Sequence, residues 1–332
     1  MKNMFFNGRF GWILLLVFGV LVISTGGCKR TRGYKSANLK ILTSFLPIYI
    51  FTANIVNGVD GVSVDVLLPP EGAGPHGYHL TPTDIKKIEE ADVIVINGFG
   101  LESFLEDKLK NINPKIKIIV ASEGITPLPD SFAGEGYHGE EEEEGETHEK
   151  EHEHGVWNPH VWVDPWLAAE EVKTISAKLG EIDKRNAHRY FQNSEGYREK
   201  LLQLGESMKK ASFEFVNGKI VTVHNAFEYM AKEMGLKVIA VLRVEPTAEP
   251  SPAELARIEE IIKKEKPAGI FTEPQFPDKL AKSLAEQLGV KIFVLDPVAT
   301  IASSAKWPIP LDYYERVMYA NLSALQEAMR DN

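Results

Sequence analysis

From residue 39 onward, short continuous apolar runs alternate with stretches in which apolar residues recur every three or four positions. The runs at 39–43, 62–68, 92–97 and 117–121 suit strands buried on both faces, which read as unbroken hydrophobic segments. Residues 47–57, 82–90 and 102–110 have helical spacing between them. A second series repeats the pattern, with strands predicted at 219–224, 237–241, 268–272 and 291–295. Its helices are predicted at 226–234, 252–266, 278–288 and 312–329. Alternating β and α segments imply parallel sheets covered on both faces. The fold class read from this pattern is α/β, two (β/α)4-like lobes with parallel sheets. Between the lobes, 165–180 predicts one helix and 185–215 a second, long one, which Gly196 and Gly205 could break. A long helix between two lobes leaves less room for hinge motion than a flexible linker would.

The first 38 residues follow a different pattern. Lys2 and Arg9 precede an almost wholly apolar segment, 11–23, then Ser24-Thr25-Gly26-Gly27 and Cys28. A basic end, an apolar centre and a small-residue site make a secretory signal. The apolar run falls short of the roughly 20 residues of a comfortable span, although a short transmembrane anchor is the alternative. The segment resembles a bacterial lipobox, with Thr25 where Leu is commonest. A lipidated Cys28 would hold the protein on a membrane, with the basic residues 29–37 as tether. The organisation expected is therefore 1–27 lipoprotein signal, 28–37 tether, 38–184 first lobe, 185–216 linker helix and 217–332 second lobe.

Composition narrows the function. Of 332 residues, 44% are hydrophobic and 25% charged, which argues for real cores. A net charge of −10 makes a poor nucleic-acid binder. One cysteine allows neither an intramolecular disulfide nor a cysteine-rich zinc motif. Removing residues 1–27, which carry Lys2 and Arg9 and no acid, takes the formal charge to −12. Residues 135–155 hold ten Glu and one Lys, a local −9, so this insert supplies most of it. It has too few apolar residues to build a core. Its His138, His148, His152 and His154 stand among carboxylates, a pattern that suits loose capture of divalent metal. An inert solvating loop is the alternative that four histidines within seventeen residues weigh against.

Four other residues could close one metal site. His76 follows the strand at 62–68, His160 lies in WNPHVWVDP, His224 ends KIVTVH and Asp296 ends KIFVLDP. Three of them follow the carboxyl ends of predicted strands, the edge where open α/β sheets bind ligands. Two belong to each lobe, so one ion could sit in the interlobe cleft. Three imidazoles and a carboxylate satisfy tetrahedral zinc. A single histidine at a strand end more often packs or caps. His79 is read as exposed or supporting, His188 as surface, and Asp84 and Asp164 as helix-start residues. Neutral ligand histidines lead to an expected steep loss of affinity below about pH 6.

The segments PHGYHLTPTDI, NPHVWVDP, VTVHNAFEYMAKEMGL, RVEPTAEPSPAEL and IFTEPQF occur in this order over nearly all of the chain beyond residue 39. Together they resemble the zinc/manganese class (cluster A-I) of ABC-transporter solute-binding lipoproteins, in particular the high-affinity zinc-uptake binding proteins. The resemblance implies two lobes joined by a long rigid helix, with the metal between them for delivery to an ABC permease. It implies ligands at His76, His160 and His224, and an acidic fourth position at Asp296 that water partly takes in zinc members. Glu273 stands as a landmark that supports the site. His224, where manganese members often have a carboxylate, favours zinc, as does the insert between the first two ligands. Manganese remains the alternative, since some manganese members use three histidines. Some zinc members also carry a second-lobe disulfide that one cysteine cannot form. The expected protein is a non-enzymatic monomeric carrier of Zn2+ in the periplasm or on the outer face of the cytoplasmic membrane. A zinc buffer and an adhesin are the other readings. No helical H-E-x-x-H motif suggests a hydrolase.

Overall fold

Among the described residues, eight strands form two four-stranded sheets, with every pairing in them parallel. The computed structural model describes residues 39–72, 74–106, 108–132, 157–243, 250–302 and 305–330. The signal, the tether with Cys28, and the loop histidines His138, His148, His152 and His154 lie outside these residues. The first half runs β1 (Leu39–Thr43), α1 (Leu46–Val56), β2 (Val62–Val66), α2 (Pro82–Glu90), β3 (Val93–Ile96), α3 (Ser103–Glu106), α4 (Leu109–Ile112) and β4 (Lys117–Val120). A 3-10 turn, Val161–Val163, leads into α5 (Pro165–Ile182) and α6 (Ala187–Ser212). The second half runs β5 (Lys219–Thr222), α7 (Glu228–Met234), β6 (Lys237–Val241), α8 (Pro252–Glu265), β7 (Gly269–Thr272), α9 (Lys279–Leu288), β8 (Ile292–Val294) and α10 (Tyr313–Arg330).

The sheets share one topology, β2-β1-β3-β4 and β6-β5-β7-β8. Strand order therefore reverses between β1 and β3 and between β5 and β7, and such a reversal opens a crevice at the carboxyl edge. The continuous apolar runs mark the buried strands: all four residues of β3 and of β7 are buried. Thr81 and Asp84 form a capping box that starts α2, and Ser251 and Glu254 form one that starts α8. Where the spacing over 102–110 suggests one helix, the chain forms α3 and α4. Glu102 turns inward instead, accepting from Ser44 Oγ at 2.7 Å and the Asn97 and Gly98 backbone N–H groups at 2.8 and 3.1 Å.

Helix α6 is unbroken through both glycines. It packs on α5 and α1 of the first half and on α7 and α10 of the second. One core cluster runs from Ile41 and Leu42 of β1 through Leu201 and Leu204 of α6 to Phe271 of β7 and Met329 of α10. The two glycines have different neighbours. A Cβ on Gly205 would lie 2.8 Å from ring atoms of Trp166, while one on Gly196 would meet nothing within 4 Å. Gly196→Ala is therefore expected to stabilise the protein by about 0.5–1 kcal/mol through helix propensity. Gly205→Ala is expected to destabilise it by about 1–3 kcal/mol through overpacking, despite the same propensity gain. Thermal unfolding of the two variants checks the opposite signs.

Candidate metal centre

Three loops bring imidazoles together at the carboxyl edges of the sheets. His224 follows β5, next to the β5/β7 reversal. His76 lies on the loop between β2 and α2. That loop is braced by Tyr78, whose hydroxyl donates to Asp84 Oδ2 at 2.8 Å and whose ring packs on Phe104. His160 immediately precedes the 3-10 turn, and its ring lies beside that of Trp162. The Trp162 indole N–H donates to the Pro297 carbonyl at 2.7 Å, tying this turn to the second half.

The three Nε2 atoms face one another. His76 Nε2 is 2.9 Å from His160 Nε2, and His224 Nε2 is 3.0 Å from it. Their opposite ring nitrogens define the tautomers of two of them. His160 Nδ1 lies 2.8 Å from Asn158 Oδ1, an oxygen that also accepts from the His160 backbone N–H at 3.0 Å. His224 Nδ1 lies 3.1 Å from Glu273 Oε1, a carboxylate oxygen. The His160 Nδ1 therefore carries hydrogen, as does the His224 Nδ1 when Glu273 is ionised, and in those neutral rings Nε2 presents a bare lone pair. Lone pairs at this separation repel unless a proton or a metal cation lies among them. Tetrahedral zinc with bonds of about 2.0–2.1 Å separates its ligand nitrogens by about 3.3 Å, within a few tenths of an ångström of what is seen.

Burial favours the ligating, neutral form. It is the main cause that pushes the His76 imidazole down to about 3, with His224 adding to it, and that holds His160 well below its ordinary value. Burial also pushes the Glu273 carboxyl well up. A steep loss of affinity below about pH 6 belongs to imidazoles of ordinary pKa, and burial moves protonation of His76 and His160 to lower pH. The raised Glu273 carboxyl beside His224 is expected to give up a proton to an incoming cation. About one proton is expected to leave per zinc bound at pH 7, so affinity falls as pH falls, by one proton's slope rather than three. Titration calorimetry in buffers of different ionisation enthalpy measures it, and Glu273→Gln should abolish the release.

Among the described residues, the donor atoms that lie within 4.8 Å of one another belong to His76, His160 and His224. Asp296 is not in that group. Its Oδ1 accepts from the Val298 N–H at 2.8 Å, and its backbone is clasped from both sides by the Asn321 amide. Val298 has φ of 61°, a strained conformation for a β-branched residue. In this geometry Asp296 holds a turn. Burial, with Glu273 adding to it, pushes its carboxyl up to about 6. Asp296→Asn, which keeps the acceptor, is expected to change zinc affinity by less than about tenfold, the lower end of effects from groups outside the ligand set. Competition with a chromogenic chelator measures it.

The other sequence candidates fall in varied places. Glu273 braces His224 and accepts from Gln275 Nε2 at 2.6 Å. His79 and His188 are exposed. Asp164 caps α5, and Asp84 closes the capping box of α2. Pro129 and Trp157 pair in an antiparallel bridge, so the acidic insert is rooted three residues before His160. Asn158 is absent from the sequence candidates. Its one legible signal is the Asn-Pro step that initiates a turn.

The family profile described as "Zinc-uptake complex component A periplasmic" (ZnuA) matches residues 41–328. The high-affinity zinc uptake system protein ZnuA of Bacillus subtilis is 33% identical over 313 residues, 93% of this chain and 94% of that protein. Zinc-binding protein AdcA of Streptococcus pyogenes is longer: the chain spans 55% of it, at 33% identity. The Zn(II)-bound structure of an AdcAII variant from Streptococcus pneumoniae superposes with a TM-score of 0.71 at 30% identity, over 88% of this chain and 99% of that one. The Mn2+ complex of FpvC from Pseudomonas aeruginosa also reaches 0.71, at 26% identity over 89% and 99%. With two matching parallel sheets, three imidazoles at their carboxyl edges and a profile match over nearly the whole described chain, the protein belongs to the zinc-uptake complex component A family.

Proposed function

We propose that this protein is the extracytoplasmic metal-binding component of an ABC importer, which captures Zn2+ and delivers it to a membrane permease. The observation that carries this reading is the convergence of three Nε2 atoms, two of them with bare lone pairs set by Asn158 and Glu273. His76, His160 and His224 are the proposed ligands, with solvent at the fourth position. The ion is cargo, so the site must also let go. A permease achieves that by favouring a conformation in which a ligand is withdrawn.

Neutral imidazoles without a carboxylate among them favour zinc over manganese, which prefers oxygen donors. The four loop histidines are proposed to raise the local ion concentration, and Cys28 to anchor the chain outside the cytoplasmic membrane. The test is native mass spectrometry of metal-free protein beginning at residue 33, with zinc and manganese in competition, alongside the same protein lacking 135–155. One zinc retained by both, with manganese excluded, is expected. Zinc lost together with the insert would make the protein a buffer, and retained manganese would change the cargo.

A further inference from the structure

The ligand His160 is oriented by a side chain that the opposite lobe holds. Asn158 Oδ1 accepts from the His160 backbone N–H at 3.0 Å and faces the ring Nδ1 at 2.8 Å. Its NH2 group donates to the Asn225 carbonyl at 3.0 Å and to Glu228 Oε2 at 2.9 Å. Both acceptors belong to the second lobe: Asn225 lies in the bend after β5 and Glu228 opens α7. These four contacts admit one orientation of the amide. A backbone N–H can only donate, so the atom facing it is the oxygen. A flipped amide would set NH2 against that N–H and oxygen against a carbonyl and a carboxylate.

We propose that Asn158 couples closure of the two lobes to metal affinity, as a positioning residue acting through His160; this rests on the carrier function proposed above. While the second lobe holds the NH2 group, Oδ1 stays aimed at Nδ1–H, and His160 keeps the tautomer whose Nε2 can ligate. Once the Asn225–Glu228 segment withdraws, the amide loses both acceptors of its NH2 group and keeps only the His160 backbone N–H against rotation. The ring is then free to carry its proton on Nε2, where it blocks coordination. Affinity falls without displacement of His160 itself. The same polar cluster reaches the root of the acidic insert, because Asn225 Nδ2 donates to Asp130 Oδ1 at 2.6 Å and to Glu228 Oε2 at 3.1 Å.

The test combines zinc dissociation into excess chelator with 15N NMR of the His160 imidazole in metal-free protein. Asn158→Ala is expected to weaken zinc binding about 10- to 100-fold, the range for lost partners of a ligand. Its His160 should lose the single Nδ1–H tautomer. Asn158→Asp keeps an acceptor for Nδ1–H and so keeps the tautomer, but it sets a carboxylate against Glu228 and should release zinc faster. Adding Glu228→Gln supplies an amide donor to the new carboxylate and should recover part of the slow release. Wild-type affinity and tautomer in Asn158→Ala would overturn the proposal, as would a double variant that releases zinc no more slowly than Asn158→Asp. Should Asn158→Ala fail to fold, the Asp variant and its double partner decide. Wild-type protein that retains no zinc would remove the carrier function and the affinity half of the proposal, while the tautomer readout would still judge the Asn158–His160 contact.

Discussion

Alanine at His160 is expected to weaken zinc binding by roughly 100- to 1,000-fold. The magnitude follows from the strength of imidazole and thiolate zinc sites, about 10–16 kcal/mol near pH 7, which shared among four positions gives about 2.5–4 kcal/mol for each. His160 is the variant of choice because its Nε2 touches both other Nε2 atoms, at 2.9 and 3.0 Å, and those two are left without a common neighbour once it is gone. The buried Asn158 oxygen also loses its ring partner, a cost of its own. Competition calorimetry against a chelator of known affinity measures the change. Exposed His188 on α6 supplies the control, since His188→Ala removes an imidazole far from the cluster and should leave affinity unchanged. A His160→Ala protein that binds zinc within tenfold of wild type would remove the three-histidine site.

The parts of this fold that were legible in the sequence depend on short-range pattern. Strands buried on both faces have no polar alternation, so β3 and β7 stand out as apolar runs, and the parallel topology follows from the helices between them. That Glu102 lies outside α3 was not legible, because its side chain is drawn inward by Ser44, 58 positions earlier. The histidines divide the same way. A strand end marks His224, but only the turn-forming Asn-Pro step marks Asn158, whose role depends on Asn225 and Glu228 about 70 residues further on. Asp296 shows the limit most clearly. A carboxylate after a strand is a metal ligand or a turn-holding acceptor with equal economy, and neither its bond to the Val298 N–H nor its place outside the three-histidine group is written in the local sequence.

Trp162→Ala is expected to cost about 3–5 kcal/mol of stability and to loosen both lobes at once. The ring is fully buried and meets Phe45 edge-on at 4.8 Å. Its N–H donates to Pro297 O, and its carbonyl accepts from the Tyr314 hydroxyl at 2.6 Å. At about 2–4 °C per kcal/mol for a chain of this size, the midpoint should fall by roughly 6–20 °C in calorimetry of metal-free protein. Trp162→Phe separates the causes, since it keeps most of the packing and gives up the indole donor, with an expected loss of about 1–2 kcal/mol. The shape of the transition carries as much information as its midpoint. Because one core joins β1, α6, β7 and α10, the wild-type protein and the Phe variant should unfold in a single step. Two resolved transitions would mean that the lobes are stable apart, and the long helix α6 would then be a connector rather than part of a shared core. A single transition that drops as a whole in Trp162→Ala would place the junction beside His160 within the core, so that moving a lobe to release the ion must work against packing as well as against the metal.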